Sequence, residues 1–147
     1  DRSRVRDLKR LANELGVTDH VTFAVDISFK DLQNYLAKAS LGLHTMRDEH
    51  FGICVVEYMA AGVIPIAHAS GGPMMDIVIQ YEGKKIGFLA ETVEEYAKAL
   101  YSGLRLSAEE GESMRYLGRK RVNEFSNEKF VSRFAKLISK FGLLETL

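Results

Sequence analysis

The sequence predicts an α/β domain, a parallel sheet with helices on both of its faces. Three observations lead there. Short apolar runs of strand length alternate with longer segments of helical periodicity. The runs are short and largely apolar, as expected of strands buried on both sides. The helical segments also carry their own start and stop residues.

The elements follow in order. Val5, Leu8, Leu11, Ala12 and Leu15 recur at helical spacing, and Gly16 stops that helix. Val21-Thr22-Phe23-Ala24-Val25 is β-rich and reads as a first strand. Ser28 is placed to cap a helix carrying Leu32, Tyr35 and Leu36. Residues 39–44 read as a second strand, and residues 51–61 as a buried helix ended by Gly62. Residues 63–68 form a third strand, Gly71-Gly72 a tight turn, and Pro73 suits the first turn of the next helix. Residues 86–90 form a fourth strand. Thr92 with Glu95, and Ser107 with Glu110, have the spacing of capping boxes for helices reaching about residues 103 and 124. Ser126 caps a last helix with Phe130, Phe134, Leu137, Ile138 and Phe141.

Composition narrows the function. A chain of 147 residues, 46% hydrophobic and 27% charged, is long and apolar enough for one folded domain. Lys plus Arg equals Asp plus Glu at 20 each, which argues against a nucleic-acid binder, although Arg2, Arg4, Arg6, Lys9 and Arg10 crowd near the start. Cys54 is the single cysteine, so no internal disulfide can form and a reducing compartment is expected. No apolar run reaches the roughly 18 residues of a membrane span, and no signal peptide is visible.

In open parallel sheets, ligands bind beyond the carboxyl ends of the strands. That rule directs attention to residues 45–52, 68–73 and 89–92. Glu49 and Glu57 are separated by seven residues, the first in a loop and the second inside the following helix. Helical side chains lean toward the N-terminus, so both carboxylates can serve one ligand above the helix start. Between them, the Phe51, Gly52 and Ile53 amides are the unpaired donors of a helix N-terminus, an anion site that Gly52 leaves open. Carboxylates for sugar hydroxyls and amides for a diphosphate suit a nucleotide-sugar. Glutamates on helix surfaces are common. Glu57 stands out because Val55, Val56, Met59 and Ala60 surround it in sequence, where a charge is costly unless partnered.

The second loop, His68-Ala69-Ser70-Gly71-Gly72-Pro73, precedes Asp76. Gly71-Gly72 offers another close backbone approach to an anion or sugar. A valine at Gly52 or Gly72 is therefore expected to block the donor without unfolding the domain. His68 reads as a satisfied polar residue and His50 as exposed, while His44 ends a strand, and its position leaves open whether it lines the cleft. Cys54 is expected to face the core.

Residues 49–78, EHFGICVVEYMAAGVIPIAHASGGPMMDIV, resemble the signature of glycosyltransferase family 4, retaining enzymes of the GT-B fold. The shared pattern is Glu, seven residues, Glu, a small-residue helix, Gly, hydrophobic-Pro, a strand and Gly-Gly. Gly87-Phe88-Leu89 and the acidic start of the helix at 91–95 also match, so the likeness spans essentially the whole chain. It implies a Rossmann-like sheet forming the C-terminal half of a GT-B fold. It further implies that Glu49, the catalytic position, contacts the transferred sugar and is not a base, and that Glu57 binds the ribose diol. The amides of Phe51, Gly52 and Ile53 would hold the distal phosphate, with Gly71 and Gly72 completing the donor site. Neither a cofactor nor a metal is implied, and no Asp-x-Asp pattern occurs.

Within the family, HFGI, VVEYMAAG and AHASGGPMMDIV are similar to the α-1,2-mannosyltransferases of dolichol-linked N-glycan precursor assembly. That likeness implies GDP-mannose as donor, a lipid-linked glycan as acceptor and other endoplasmic reticulum mannosyltransferases as partners. It places the protein at the cytosolic face of the endoplasmic reticulum membrane. The family's Gly-rich first strand, with its Arg and Lys pair for the leaving diphosphate, lies upstream of the helix that opens this chain. Residues 1–147 are thus expected to be a donor-binding fragment without its first strand and acceptor domain, inactive by itself. Two other classes remain. One is a different enzyme on the same architecture, such as an epimerase, which the Glu spacing and His68–Gly72 disfavour. The other is a non-catalytic nucleotide-sugar-binding module.

Overall fold

The structure, a computed structural model, describes residues 1–141 and divides into two compact units, residues 1–34 and the remainder. In the first unit, α1 (Arg2–Glu14) starts where the Asp1 carboxylate accepts from the Ser3 and Arg4 amides at 3.0 and 3.2 Å. Gly16, at φ +66°, turns the chain out of it. A 3-10 turn over Thr18–His20 follows. Residues 21–25 were expected to be a strand and are not. Val21 has extended angles, φ −121° and ψ 121°, but no strand pairs with the run among the described residues. Propensity sets the backbone angles, whereas a strand also needs a ladder partner. Ser28 caps α2 (Phe29–Lys38), accepting from the Asp31 amide and donating to its carboxylate.

The second unit is built on a parallel sheet of three strands in the order β1 (Leu41–His44), β2 (Ile64–His68), β3 (Phe88–Ala90). Four strands were expected, and the run at 21–25 is the one that does not join the sheet among the described residues. β2 is central, and Ile64, Pro65, Ile66 and Ala67 are all buried, as a strand covered on both faces requires. α3 (Ile53–Ala61) connects β1 to β2. A single widened turn, Pro73–Ile77, and a loop connect β2 to β3. α4 (Val93–Leu104), α5 (Ala108–Val122) and α6 (Asn127–Lys140) complete the chain, with a 3-10 turn at Asn123–Phe125.

Two adjacent residues of β1 show how the sheet is covered. A side chain at Gly42 would meet the Tyr58 ring of α3, whereas a side chain at Gly103 of α4 would meet Leu41. Neighbouring strand residues point to opposite faces, so α3 and α4 lie on opposite sides. The expected layering therefore holds. The core gathers Val55, Val56 and Met59 of α3 with Ala67, Ile77, Val78, Ile86 and Leu117. Thr92/Glu95 and Ser107/Glu110 both form reciprocal capping boxes, and Ser126 accepts from the Lys129 amide to start α6. α5 ends at Val122, two residues short of expectation, and tightens into the 3-10 turn. No helix among the described residues is long and apolar enough to cross a membrane.

Candidate functional site

The site forms where β1 and β2 end. β1 delivers His44, β2 delivers His68, and the segments that follow them carry Glu49 and Gly71-Gly72. These loops are fastened to one another through backbone. The Gly72 amide donates to the Glu49 carbonyl at 2.8 Å, and the Asp48 amide donates to Ser70 Oγ at 2.8 Å. Ser70 Oγ also lies 2.8 Å from His68 Nδ1, so His68 is a satisfied polar residue as expected. Ser70 had no marked signal in the sequence, because its role rests on the approach of two loops 22 residues apart.

The glycines serve this closure. A side chain at Gly71 would strike the Glu49 carbonyl, and one at Gly72 would come within 2.5 Å of the His50 and Phe51 carbonyls. Gly52 has φ +95°, and a side chain there would lie 3.1 Å from Pro73 Cγ. The close approach these glycines permit is thus to protein, and the expectation that valine spares the fold is corrected. Left-handed backbone is strained for any residue with a Cβ, β-branched ones above all.

Gly52 also moves the helix start. Its left-handed conformation keeps Phe51 and Gly52 outside α3, so the amides of the first turn belong to Ile53 and Cys54. Neither has a backbone partner among the described residues, whereas the Val55 amide bonds to the Gly52 carbonyl at 2.9 Å. The unpaired amides of the helix start are thus displaced toward Cys54. Cys54 itself is exposed, not turned to the core as expected, because α3 buries only Val55, Val56 and Met59.

The two glutamates differ. Glu49 is half-buried, its side chain 24% exposed, with Oε2 3.7 Å from His44 Nε2. Glu57 is exposed and has no hydrogen-bond or ion-pair partner among the described residues. Its apolar sequence neighbours had implied a costly charge. The helix turns them inward and leaves Glu57 outside, so the carboxylate stays in water. Its charge is felt by Tyr58, whose hydroxyl is pushed above its usual value by burial first, then by Cys54 and Glu57. That hydroxyl donates to the Leu43 carbonyl at 3.2 Å and ties α3 to β1.

Tyr96 of α4, which sequence reasoning passed over, donates to the His44 carbonyl at 3.0 Å and fixes the end of β1. Burial raises its hydroxyl above the ordinary value. His50 is exposed, as expected. Asp76 is exposed as well, and its carbonyl accepts from the Arg121 guanidinium. Arg121 also stacks 4.9 Å over the Phe125 ring, which meets Phe51 edge-on at 5.4 Å. An apolar groove of about 430 Å³ opens there, between Phe51, Phe125 and the Phe130, Phe134 and Leu137 side of α6. None of His44, Glu49 or Glu57 lines it, and Phe51 is the residue it shares with the segment between the two glutamates. No group of three or more His, Cys, Asp or Glu side chains is arranged to hold a metal among the described residues.

The chain is similar to known proteins over most of its length. The model of the family described as Glycosyl transferases group 1 matches residues 1–121. The chain is 48% identical over 140 residues to the GDP-Man:Man(3)GlcNAc(2)-PP-Dol alpha-1,2-mannosyltransferase of Homo sapiens, covering 95% of this chain and 28% of that protein. It is 45% identical to the protein of the same name in Dictyostelium discoideum, covering 94% of this chain and 26% of that one. The chain thus spans about a quarter of these relatives. Among solved structures, the sucrose-phosphate synthase of Thermosynechococcus elongatus superposes with a TM-score of 0.79 at 27% identity, covering 95% of this chain and 34% of that one.

Proposed function

The chain belongs to the group 1 glycosyl transferases, and from that premise we propose that it is the donor half of a retaining α-1,2-mannosyltransferase, one that moves mannose from GDP-mannose to a dolichol-linked oligosaccharide. The observation that carries this reading is its 48% identity, over nearly its full length, with the human protein named for that reaction. The 140 aligned residues necessarily include the Glu49 loop and α3. Residues 1–147 act in this reading as a donor-binding domain that works with an acceptor-binding domain, at the cytosolic face of the endoplasmic reticulum membrane. Other mannosyltransferases of the same assembly are its expected partners.

Each group has a role set by its chemistry. The unpaired amides at the start of α3, Ile53 and Cys54 with the preceding Phe51 and Gly52, receive the distal phosphate. Glu57, free in water, accepts two hydroxyls of the ribose. Glu49 orients the mannose and takes no proton. Gly71 and Gly72 hold the second loop against the first, and the Gly72 amide is spent on Glu49. Retention follows from attack on the face that the diphosphate leaves, and the barrier falls through donors aimed at the charge developing there. No resident cofactor or metal enters this scheme.

Calorimetric titration of the chain with GDP-mannose, GDP and UDP-glucose tests it. Saturable binding of GDP and GDP-mannose, with UDP-glucose weaker, is the expected result. Binding of UDP-glucose as tight as GDP-mannose would move the protein to another donor within the family. Absence of binding to all three would overturn the donor role.

A further inference from the structure

We infer that His44 is a positioning residue for Glu49, holding its carboxylate in the orientation that receives the transferred sugar. The inference rests on the donor-site reading above and assigns a role to a side chain outside the Glu-to-Glu signature. Three observations carry it. The His44 backbone is fixed at both ends of its environment: it closes β1 in register with Ala67, and its carbonyl accepts from Tyr96. Its ring is nearly enclosed, with the side chain 11% exposed. Its Nε2 faces Glu49 Oε2 at 3.7 Å, while Nδ1 is buried with no hydrogen-bond partner.

The facing carboxylate settles which nitrogen works. A lone pair on Nε2 turned toward a carboxylate would be repelled, so Nε2 presents an N–H to Glu49. Among the described residues, Glu49 is the one polar side chain paired with this ring. The separation of 3.7 Å exceeds a hydrogen bond but closes by rotation about the terminal torsion of Glu49, which is soft. Contacts of this kind tighten when the ligand arrives. Glu49 is meanwhile anchored at its own carbonyl by the Gly72 amide, so the imidazole fixes the remaining freedom of the side chain. The consequence is specific: His44 affects recognition of the sugar and leaves recognition of the nucleotide alone.

GDP and GDP-mannose titrated against the chain and its variants separate the possibilities. His44→Ala is expected to weaken GDP-mannose about tenfold while GDP stays within about twofold. His44→Gln, which keeps an N–H donor, should recover most of the loss. In the Glu49→Ala background, His44→Ala should add nothing further, because the acceptor of the pair is gone. Independently of any donor, Glu49→Gln should shift the ring nitrogens of His44 in ¹⁵N spectra more than those of His50 or His68, a readout that survives if His44→Ala fails to fold. Equal loss of GDP and GDP-mannose, unchanged binding of both, additive losses, or unmoved His44 nitrogens would each overturn the positioning role. If the unmodified chain bound GDP under any of those outcomes, the donor reading would stand without it. If it bound neither ligand, both would fall.

Discussion

At the scale of single residues, the same chemical type can do opposite things according to its direction. Glu49 points into a corner closed by His44 and the second glycine loop, whereas Glu57, eight positions on, stands in water. An exposed carboxylate is already solvated, so it contributes to binding only the surplus of a charge-assisted pair of hydrogen bonds over those to water. Glu57→Ala is accordingly expected to cost about 1.5–3 kcal/mol of GDP affinity, roughly tenfold or more, and to leave the melting temperature unchanged. Calorimetry beside a thermal melt checks both halves, and an unaltered GDP affinity would remove Glu57 from the ribose. Gly52 behaves differently. With φ at +95° and Pro73 close by, Gly52→Val should lower the melting temperature and nucleotide binding together. A folded valine variant of normal stability that no longer binds GDP would mean that the glycine serves the ligand alone.

At the scale of elements, the sequence was most legible where local chemistry decides. Thr92/Glu95 and Ser107/Glu110 satisfy their amides within four residues, and both helices begin where those residues are. The candidate site was legible as composition but not as geometry. Nothing near position 51 says that Gly52 will adopt a left-handed conformation and push the helix start two residues on, because Pro73 and Ile77 beside it come from another loop. The run at 21–25 misled for a related reason, since a ladder partner is not a local property. The caps also carry a pH dependence. The Glu91 and Thr92 amides hold the Glu95 carboxyl below its usual value, and Ser107 does the same for Glu110. A carboxyl depressed in the folded state contributes stability above its unfolded pKa, and loses that contribution as pH falls through the folded value. Glu95→Gln and Glu110→Gln should therefore lower the melting temperature at neutral pH and have progressively less effect as the carboxyls protonate. Ser107→Ala removes a neutral acceptor, costs about 1 kcal/mol and should do so at both pH values. Thermal melts at neutral pH and near pH 3 decide, and a Glu110→Gln deficit undiminished by acid would refute the cap as its origin.

At the scale of the whole molecule, apolar burial is concentrated in one place, and stability should be graded accordingly. β2 lies between two strands, and its residues 64–67 are fully enclosed together with Val55, Met59 and Ile77. In residues 1–34, by contrast, Ala12 is the one buried residue, and Leu8, Leu11, Leu15 and Phe29 are largely exposed. α6 buries no residue either and presents Phe130, Val131, Phe134 and Leu137 to solvent. Helical hydrogen bonds alone do not hold such segments, since packing of an apolar face supplies most of a helix's stability in a protein. Opening of α1 or α6 thus exposes little that is not already exposed, whereas opening of β2 exposes the core. Native-state amide exchange should therefore rank α3 and β2 slowest, at the free energy of global unfolding, with α1 and α6 exchanging through much smaller openings. Substitutions should follow the same gradient. Ile66→Ala is expected to cost about 2–5 kcal/mol, through lost burial and the cavity it leaves. Leu8→Ala should cost no more than about 1 kcal/mol, because roughly half of that side chain is already in water. Denaturant titration of both variants, read beside the exchange map, measures the gradient directly. Protection of α1 or α6 equal to that of β2, or a Leu8→Ala loss as large as that of Ile66→Ala, would mean that these faces are buried in the molecule as it exists in solution. Their partner would then have to be a surface that covers the exposed leucines and phenylalanines.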